Sequence, residues 1–579
     1  MISQLSWKIG GQQGEGVEST DRIFSTALNR LGYYLYGYRH FSSRIKGGHT
    51  NNKIRISTKP IRAISDDLDI LVAFDQETID LNAHELRNGG VVVADAKFNP
   101  TLPEGIADVR LFPVPITQIA EDLGTSLFKN MAASGASWAL LGLPLEIFEK
   151  AVEEEFGRKG AAIVEKNVEA VRRGAQSILD QAGGPLKEFE LEPSDGQAKL
   201  FMIGNEAIGL GAVAGGCRFM PAYPITPASE VMEYLIKKLP KLGGTVIQTE
   251  DEISAVTMAI GANYGGVRSL TASAGPGLSL MMEGIGLAGM TETPVVIVNT
   301  MRGGPSTGLP TKQEQSDVNA MIYGTHGEIP KIVIAPSTVE ECFYDTIESF
   351  NLAEEYQCPV ILITDLQLSL GKQTAEGIDF KNVEIRRGKL ATEELPALED
   401  NKLFKRYEFT EDGISPRVVP GMKYGIHHVT GVEHDQEGRP SESPINRKKM
   451  MDKRMGKMSK LRIQNPIHYK TNHENPDIII VGMSSTGGTI DEARERMEAE
   501  GIKTAHMTVR QIHPFPTEEV AERVKQAKTV VVMENNATGQ LADQIKLHVG
   551  NGEKIKNLLK YDGTPFIPSE VHKACKELI

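Results

Sequence analysis

The stretch that decides the fold is VVIVNTMRGGPSTGLPT, Val295 to Thr311. Val295–Asn299 reads as a short strand, its first four residues β-branched. Directly after it come glycines, prolines and hydroxyl residues around one arginine, Arg302. A strand that ends in such a turn is the unit of an open α/β sheet, whose ligands lie beyond the carboxyl ends of the strands. Working outward, strand-like runs at Val246–Gln248, Lys331–Ala335 and Val360–Thr364 alternate with glycine-rich helical segments. Thr271–Gly277 (TASAGPG) turns another strand into a helix, and Ile253–Tyr264 reads as a helix of small and apolar residues.

The same alternation recurs on both sides. Towards the N-terminus, strands are expected at Trp7–Gly10, Lys53–Ser57, Asp69–Phe74 and Gly90–Asp95, a helix at Val17–Arg30, and a long periodic helical stretch over Pro144–Leu179. Towards the C-terminus, Asp477–Val481, Thr504–Val509 and Thr529–Met533 read as strands and Thr489–Glu500 as a helix. The fold class is therefore α/β, with three open-sheet domains at 1–182, 198–380 and 476–579. A Gly/Pro/acidic linker spans 183–197 and an extended linker 381–475; the basic stretch Arg447–Arg462 in the latter is expected to be a solvated helix or arm.

Composition excludes several classes. With 63 Lys+Arg against 76 Asp+Glu the formal net charge is −13, the wrong sign for non-specific nucleic-acid binding. The four cysteines, Cys217, Cys342, Cys358 and Cys575, are too far apart for zinc or iron–sulfur ligation, so no metal site is expected. No disulfide framework is suggested either, which favours a reducing cytoplasm. Leu270–Met290 contains Pro276, glycines and Glu283, so it is not expected to span a membrane.

Four motifs remain. Gly10–Gly16 (GGQQGEG) lies between a strand and a helix, but its spacing is not GxGxxG, and a tight turn accounts for it as well as a nucleotide does. Ser42–His49 (SSRIKGGH) is basic and glycine-rich, a solvated loop or an anion contact through Arg44 and Lys46. In Ala222–Glu230 (AYPITPASE), Thr226 before Pro227 reads as an N-cap followed by proline at N1; a helix N-terminus also suits a carboxylate. In Gln248–Ala255 (QTEDEISA), Glu250, Asp251 and Glu252 open a helix, and at least one is expected to face a protected site. Arg302 is placed to fork onto a carboxylate.

Taken together, YPITPASE, QTEDEISA, TASAGPGLSLM and RGGPSTGLPTKQEQSD resemble the α subunits of the 2-oxoacid:ferredoxin oxidoreductases. The resemblance is to the form with a γ domain fused ahead of α, and to the 2-oxoglutarate type. GGQQGEGV and SSRIKGGH resemble the γ domain, GISPR with EHD the linker, and HPFP with ENNATGQ a transketolase-C-like domain. The resemblance implies a γ domain, a thiamine-diphosphate pyrimidine-binding domain and a transketolase-C-like domain in that order. It implies thiamine diphosphate shared with a β subunit that holds diphosphate, Mg²⁺ and a [4Fe–4S] cluster, in an α2β2 heterotetramer, with ferredoxin as acceptor and CoA as cosubstrate. This chain has neither a GDG…N motif nor cluster cysteines, as an α chain should not. By the same resemblance Glu252 is the catalytic carboxylate and touches the cofactor with Tyr223, Pro224 and Ile225. Thr226 and Arg302 bind the substrate carboxylate, and Arg44 and Lys46 are candidate contacts to CoA or another anion. Helical phase leaves Glu250 and Asp251 as competitors for the role of Glu252. Pyruvate or a branched-chain 2-oxoacid is the alternative substrate; a Rossmann-like nucleotide binder or a non-catalytic regulatory protein is the alternative class.

Overall fold

Gln4–Gln12 is a strand with seven consecutive buried residues, longer at both ends than the expected Trp7–Gly10. It is buried on both faces because it lies inside an eight-stranded sheet, antiparallel to His49–Ser57 and parallel to Leu68–Ala73. The computed structural model describes residues 1–42, 47–399 and 402–579; Arg44 and Lys46 lie outside the described residues. The described chain forms two compact units. One comprises Met1–Met202 with Gly371–Glu376 and Ile567–Glu570; the other comprises Ile203–Leu370 with Gly377–Phe566 and Val571–Ile579.

In the first unit the Gly10–Gly16 segment ends the strand at Gln12 and then turns tightly into a helix. Gly14 and Gly16 take positive φ, and Gly16 precedes the helix Val17–Arg30. That helix buries Phe24, which stacks on Trp7 with ring centroids 4.4 Å apart. The periodic stretch expected over Pro144–Leu179 is two helices, Leu145–Phe156 and Ala161–Ala182. They are separated at Gly157–Gly160, where Gly160 has φ 99°. The longer helix packs against Lys129–Leu140 at glycine contacts. A Cβ on Gly174 would lie 2.0 Å from the carbonyl oxygen of Ala132, and one on Gly135 would lie 2.1 Å from that of Val171.

In the second unit the central sheet runs Leu270–Ser273, Val295–Met301, Pro359–Asp365, Ile332–Ile334, all parallel, and then Gln511–His513, antiparallel. A parallel pair, Phe219–Ala222 with Thr245–Gln248, is joined to it by a parallel bridge from Phe219 to Ser269. The carboxyl ends of these parallel strands therefore share one edge. A second five-stranded sheet is built from Ile467–Thr471, Thr504–Val509, Ile478–Gly482, Thr529–Glu534 and Ile555–Leu559. The two sheets share one apolar core, which includes Val256, Ile297, Ile361, Val481 and Val532. This burial is why the strands read as apolar runs in the sequence.

The basic stretch Arg447–Arg462 begins in a helix solvated on one face only: Arg447, Lys448 and Lys449 are exposed, and the other face is buried. That helix is Pro444–Gly456, and Lys453, Arg454 and Lys457 are 6%, 2% and 0% exposed. Lys453 and Lys457 pair with the buried carboxylate of Glu292, the latter at 3.1 Å. Arg454 pairs with Glu433 at 2.6 Å. Burial pushes the carboxyl of Glu292 up, but Lys457, Lys453 and Arg406 outweigh it and hold it well below the ordinary range. Burial in turn brings Lys453 down to about 8, against the pull of Glu292. A buried charge demands a partner, and here the partner lies far away in the sequence.

Candidate active site

Three acids open the helix Glu252–Tyr264, and the structure separates them. Glu250 is exposed. Asp251 is the N-cap, its carboxylate accepting the backbone N–H of Ser254 at 2.7 Å. Glu252 is 6% exposed, and among the described residues nothing donates a hydrogen bond to its carboxylate. Its side chain lies against Gly277 at the start of the helix Gly275–Met290. A Cβ there would fall 2.6 Å from Oε1 of Glu252 and 2.0 Å from Oγ of Ser273. The glycine is what lets the two helix starts close on each other. The Ser273 hydroxyl is buried and has no hydrogen-bond partner.

The turn after the Phe219–Ala222 strand meets this edge from the side. Tyr223 is exposed, and Pro224, Ile225 and Thr226 are half-buried. Thr226 is not the expected N-cap. The helix begins at Ser229, behind Ala228. The N–H groups of Ala228 and Ser229 both donate to the carbonyl of Ile225. The Thr226 carbonyl is occupied elsewhere, accepting Nη1 of Arg302 at 2.6 Å. An N-cap hydroxyl accepts a backbone N–H from the first turn of its helix, and among the described residues none donates to that of Thr226. Its hydroxyl makes no hydrogen bond among the described residues, and the Thr226–Pro227 peptide is cis.

Arg302 is 7% exposed. Besides Thr226 it donates from Nη2 to the carbonyl of Thr307 at 3.3 Å, so much of its fork is held by backbone. Nε is buried without an acceptor. Burial lowers the pKa of Arg302, and Asp317 opposes that. The structure thus joins Thr226 to Arg302 directly, and sets Glu252 on the same sheet edge against the Gly275–Gly277 turn.

Arg302 also lines a cleft of about 560 Å³ with Pro276, Ser279, Glu314, Asp317 and Thr538. Sequence reasoning gave the acids of this cleft no role. Burial raises the pKa of Asp317, against a hydrogen bond from Asn299 at 3.2 Å. Burial likewise raises that of Glu314, against the N–H of Gly304 at 2.8 Å. Their loop is pinned by Gln315, whose side chain donates to Asp365 at 2.8 Å and accepts the N–H of Asn535 at 3.0 Å, while its own N–H donates to the carbonyl of Asn535. The available signal was a cluster of acids and amides inside a glycine-rich turn after a buried strand.

The sequence and the fold match a known class. Residues 210–453 match the family described as "Pyruvate flavodoxin/ferredoxin oxidoreductase, thiamine diP-bdg". Residues 6–177 match "Pyruvate ferredoxin/flavodoxin oxidoreductase" and 476–571 match "Pyruvate:ferredoxin oxidoreductase core domain II". The chain is 34% identical to a 2-oxoacid:ferredoxin oxidoreductase subunit alpha of Sulfolobus sp, covering 100% of this chain and 97% of that one. It is 37% identical to the 2-oxoglutarate synthase subunit KorA of Methanocaldococcus jannaschii, over 65% of this chain and 98% of the relative. A solved structure, the 2-oxoglutarate:ferredoxin oxidoreductase from Magnetococcus marinus with 2-oxoglutarate, coenzyme A and succinyl-CoA bound, superposes with a TM-score of 0.92 at 34% identity, covering 100% of both chains. The chain belongs to the α subunits of the 2-oxoacid:ferredoxin oxidoreductases. Among the described residues no helix is long and apolar enough to cross a membrane.

Proposed function

We propose that this chain, with a β subunit, oxidatively decarboxylates 2-oxoglutarate with CoA to succinyl-CoA and CO2, passing electrons to ferredoxin. The relatives named for 2-oxoglutarate, and the solved relative that binds 2-oxoglutarate and CoA, support that substrate over pyruvate or a branched-chain 2-oxoacid. Mg²⁺ and the [4Fe–4S] cluster are assigned to the β subunit, in an α2β2 assembly working in the cytoplasm. Four free, buried cysteines agree with a reducing compartment.

The observation that carries the reading is the carboxylate of Glu252, buried and without a donor of its own. That fits the aminopyrimidine of thiamine diphosphate, which brings the missing donor, and the orphaned Ser273 hydroxyl beside it is a second polar anchor. When bound, the cofactor supplies the carbon nucleophile for the 2-oxoacid carbonyl and takes up the electrons left as CO2 departs. Glu252 shares a proton with the pyrimidine ring nitrogen and so sets its protonation state. Tyr223, Pro224 and Ile225, in the turn after the Phe219–Ala222 strand, would be further contacts to the cofactor. Arg302 fixes the Thr226 turn through the carbonyl it holds, and the N–H groups that Nη1 and Nη2 do not spend on Thr226 and Thr307, with the Thr226 hydroxyl, are the donors offered to the substrate carboxylate.

Glu252→Gln keeps the shape and removes the acid. In the co-purified complex, assayed with a reducible dye, kcat should fall by at least about 10²-fold, the scale of a general acid/base group, with assembly intact. Near-wild-type turnover of Glu252→Gln, with Glu250→Gln dead, would overturn the assignment.

A further inference from the structure

At the opposite end of the Glu252–Tyr264 helix, near the amino ends of the Phe219–Ala222, Thr245–Gln248 and Leu270–Ser273 strands, lies a separate cavity of about 610 Å³. That volume is in the range of about 300–1,000 Å³ used by small-molecule sites. Its lining is unlike that of the catalytic cleft. Arg218, Arg268 and Arg387 line it, and among the described residues no carboxylate does. Glycines at 216, 243, 244 and 266 leave the walls bare, and Phe219 and Val267 supply apolar surface.

The arginines are partly explained by structure. Arg268 is 3% exposed and spends its nitrogens on Glu354, Asn351 and the carbonyls of Gly215 and Arg386. Arg387 pairs with Glu354 at 2.6 Å and donates from Nη2 to the carbonyl of Gly266 at 2.8 Å. Arg218 donates from Nη1 to the carbonyl of Cys217 at 2.7 Å. These contacts account for only part of the donor set. Among the described residues, Nε and Nη2 of Arg218 and Nη1 of Arg387 donate to nothing. The charge is unbalanced too, since Glu354 is shared by Arg268, Arg387 and Arg417. Two half-buried guanidinium groups with free donors, over apolar walls, suit an anion carried on a flat organic body.

We propose that this cavity is a second ligand site, for a nucleotide-sized organic phosphate. Arg218 and Arg387 hold its phosphates, and Phe219 and Val267 receive its apolar part. The proposal is independent of the reaction assigned above. The test is equilibrium binding of ADP to the intact complex, with thiamine diphosphate bound and CoA added at one equivalent per active site, so that the catalytic sites are filled without an excess of CoA, itself an adenine nucleotide, to compete. One ADP per chain is expected, displaced by inorganic pyrophosphate and not by adenosine. Arg218→Gln should weaken ADP roughly ten- to hundredfold, the loss of one charge-assisted pair, without altering turnover in the absence of ADP. Arg218→Lys should lose less, and Arg387→Lys provides a second reading should Arg218→Gln fold poorly. No saturable ADP binding, ADP binding unchanged in both Arg218→Gln and Arg387→Lys, or adenosine binding as well as ADP would each overturn the proposal.

Discussion

Replacing Gly277 by alanine tests the carboxylate without touching it. The added methyl would sit 2.6 Å from Oε1 of Glu252, 2.7 Å from its Cγ and 2.0 Å from Oγ of Ser273. An ordinary contact begins near 3.4 Å, so the carboxylate must retreat by about 0.8 Å and the serine by more. A displacement on the order of 1 Å at a reacting group costs about 10²-fold in rate, so kcat of the complex should drop by that order. Fold and assembly should survive, because the helix Gly275–Met290 gains an ordinary helix former near its first turn. Steady-state turnover with a reducible dye and a thermal melt, on wild type, Gly277→Ala and Gly277→Ala with Ser273→Gly, separate the effects. The double variant removes the worst overlap and should recover part of the rate. Gly277→Ala with kcat within twofold of wild type and an unchanged melt would refute the close approach, and with it the placement of Glu252.

Further outcomes follow from other contacts. Arg302→Lys cannot serve both Thr226 and Thr307, and loses about 1.5–3 kcal/mol of charge-assisted bonding. Its kcat/KM should fall roughly 10- to 150-fold for all 2-oxoacids alike, and loss confined to 2-oxoglutarate would show Arg302 reading the distal carboxylate instead. Glu292→Gln leaves Lys453 and Lys457 buried without a counter-charge and should cost about 3–5 kcal/mol, measured as an earlier urea midpoint; unchanged stability would mean the cluster does not hold its helix. Burial, Lys331 and His548 bring His513 down to about 4 from 6.5. Between those values the unfolded chain binds the proton and the native one refuses it, so stability is lost as pH falls from 6.5 to 4, by up to about 3 kcal/mol. A stability titration of wild type against His513→Gln isolates this loss, and parallel curves would exclude it.

Much of the frame was legible because local patterns agreed with the tertiary outcome. The helix Val17–Arg30 has the expected bounds, and the apolar runs at Val295 and Val360 are the middle strands of their sheet. What the sequence hid was long-range. Lys129–Leu140 carries no amphipathic stripe because it is buried nearly all round, at Ala, Ser and Gly positions chosen for closeness. Lys453 and Lys457 read as solvent-facing because their partner Glu292 lies more than 160 residues away. The site divides the same way. The motifs named Thr226, Glu252 and Arg302, but only the geometry distinguishes Glu252 from the capping Asp251 and the exposed Glu250. Asp317 and Glu314 gave no hint of their burial, since that depends on the Asn535–Asn536 segment reached through Gln315.

Gln511–His513 closes the outer edge of the central sheet by pairing with Ile332–Ile334. Domain shuffling treats such a C-terminal α/β segment as cargo that can be cut away and carried elsewhere. Here the cut would strip a strand from the remaining sheet, leave an apolar edge open to unwanted pairing, and tear the apolar core common to both sheets. Residues 476–579 are thus heritable only together with the catalytic sheet. A gene split between them would have to deliver both pieces at once, and complementation by two separately refolded fragments should fail where co-folding succeeds.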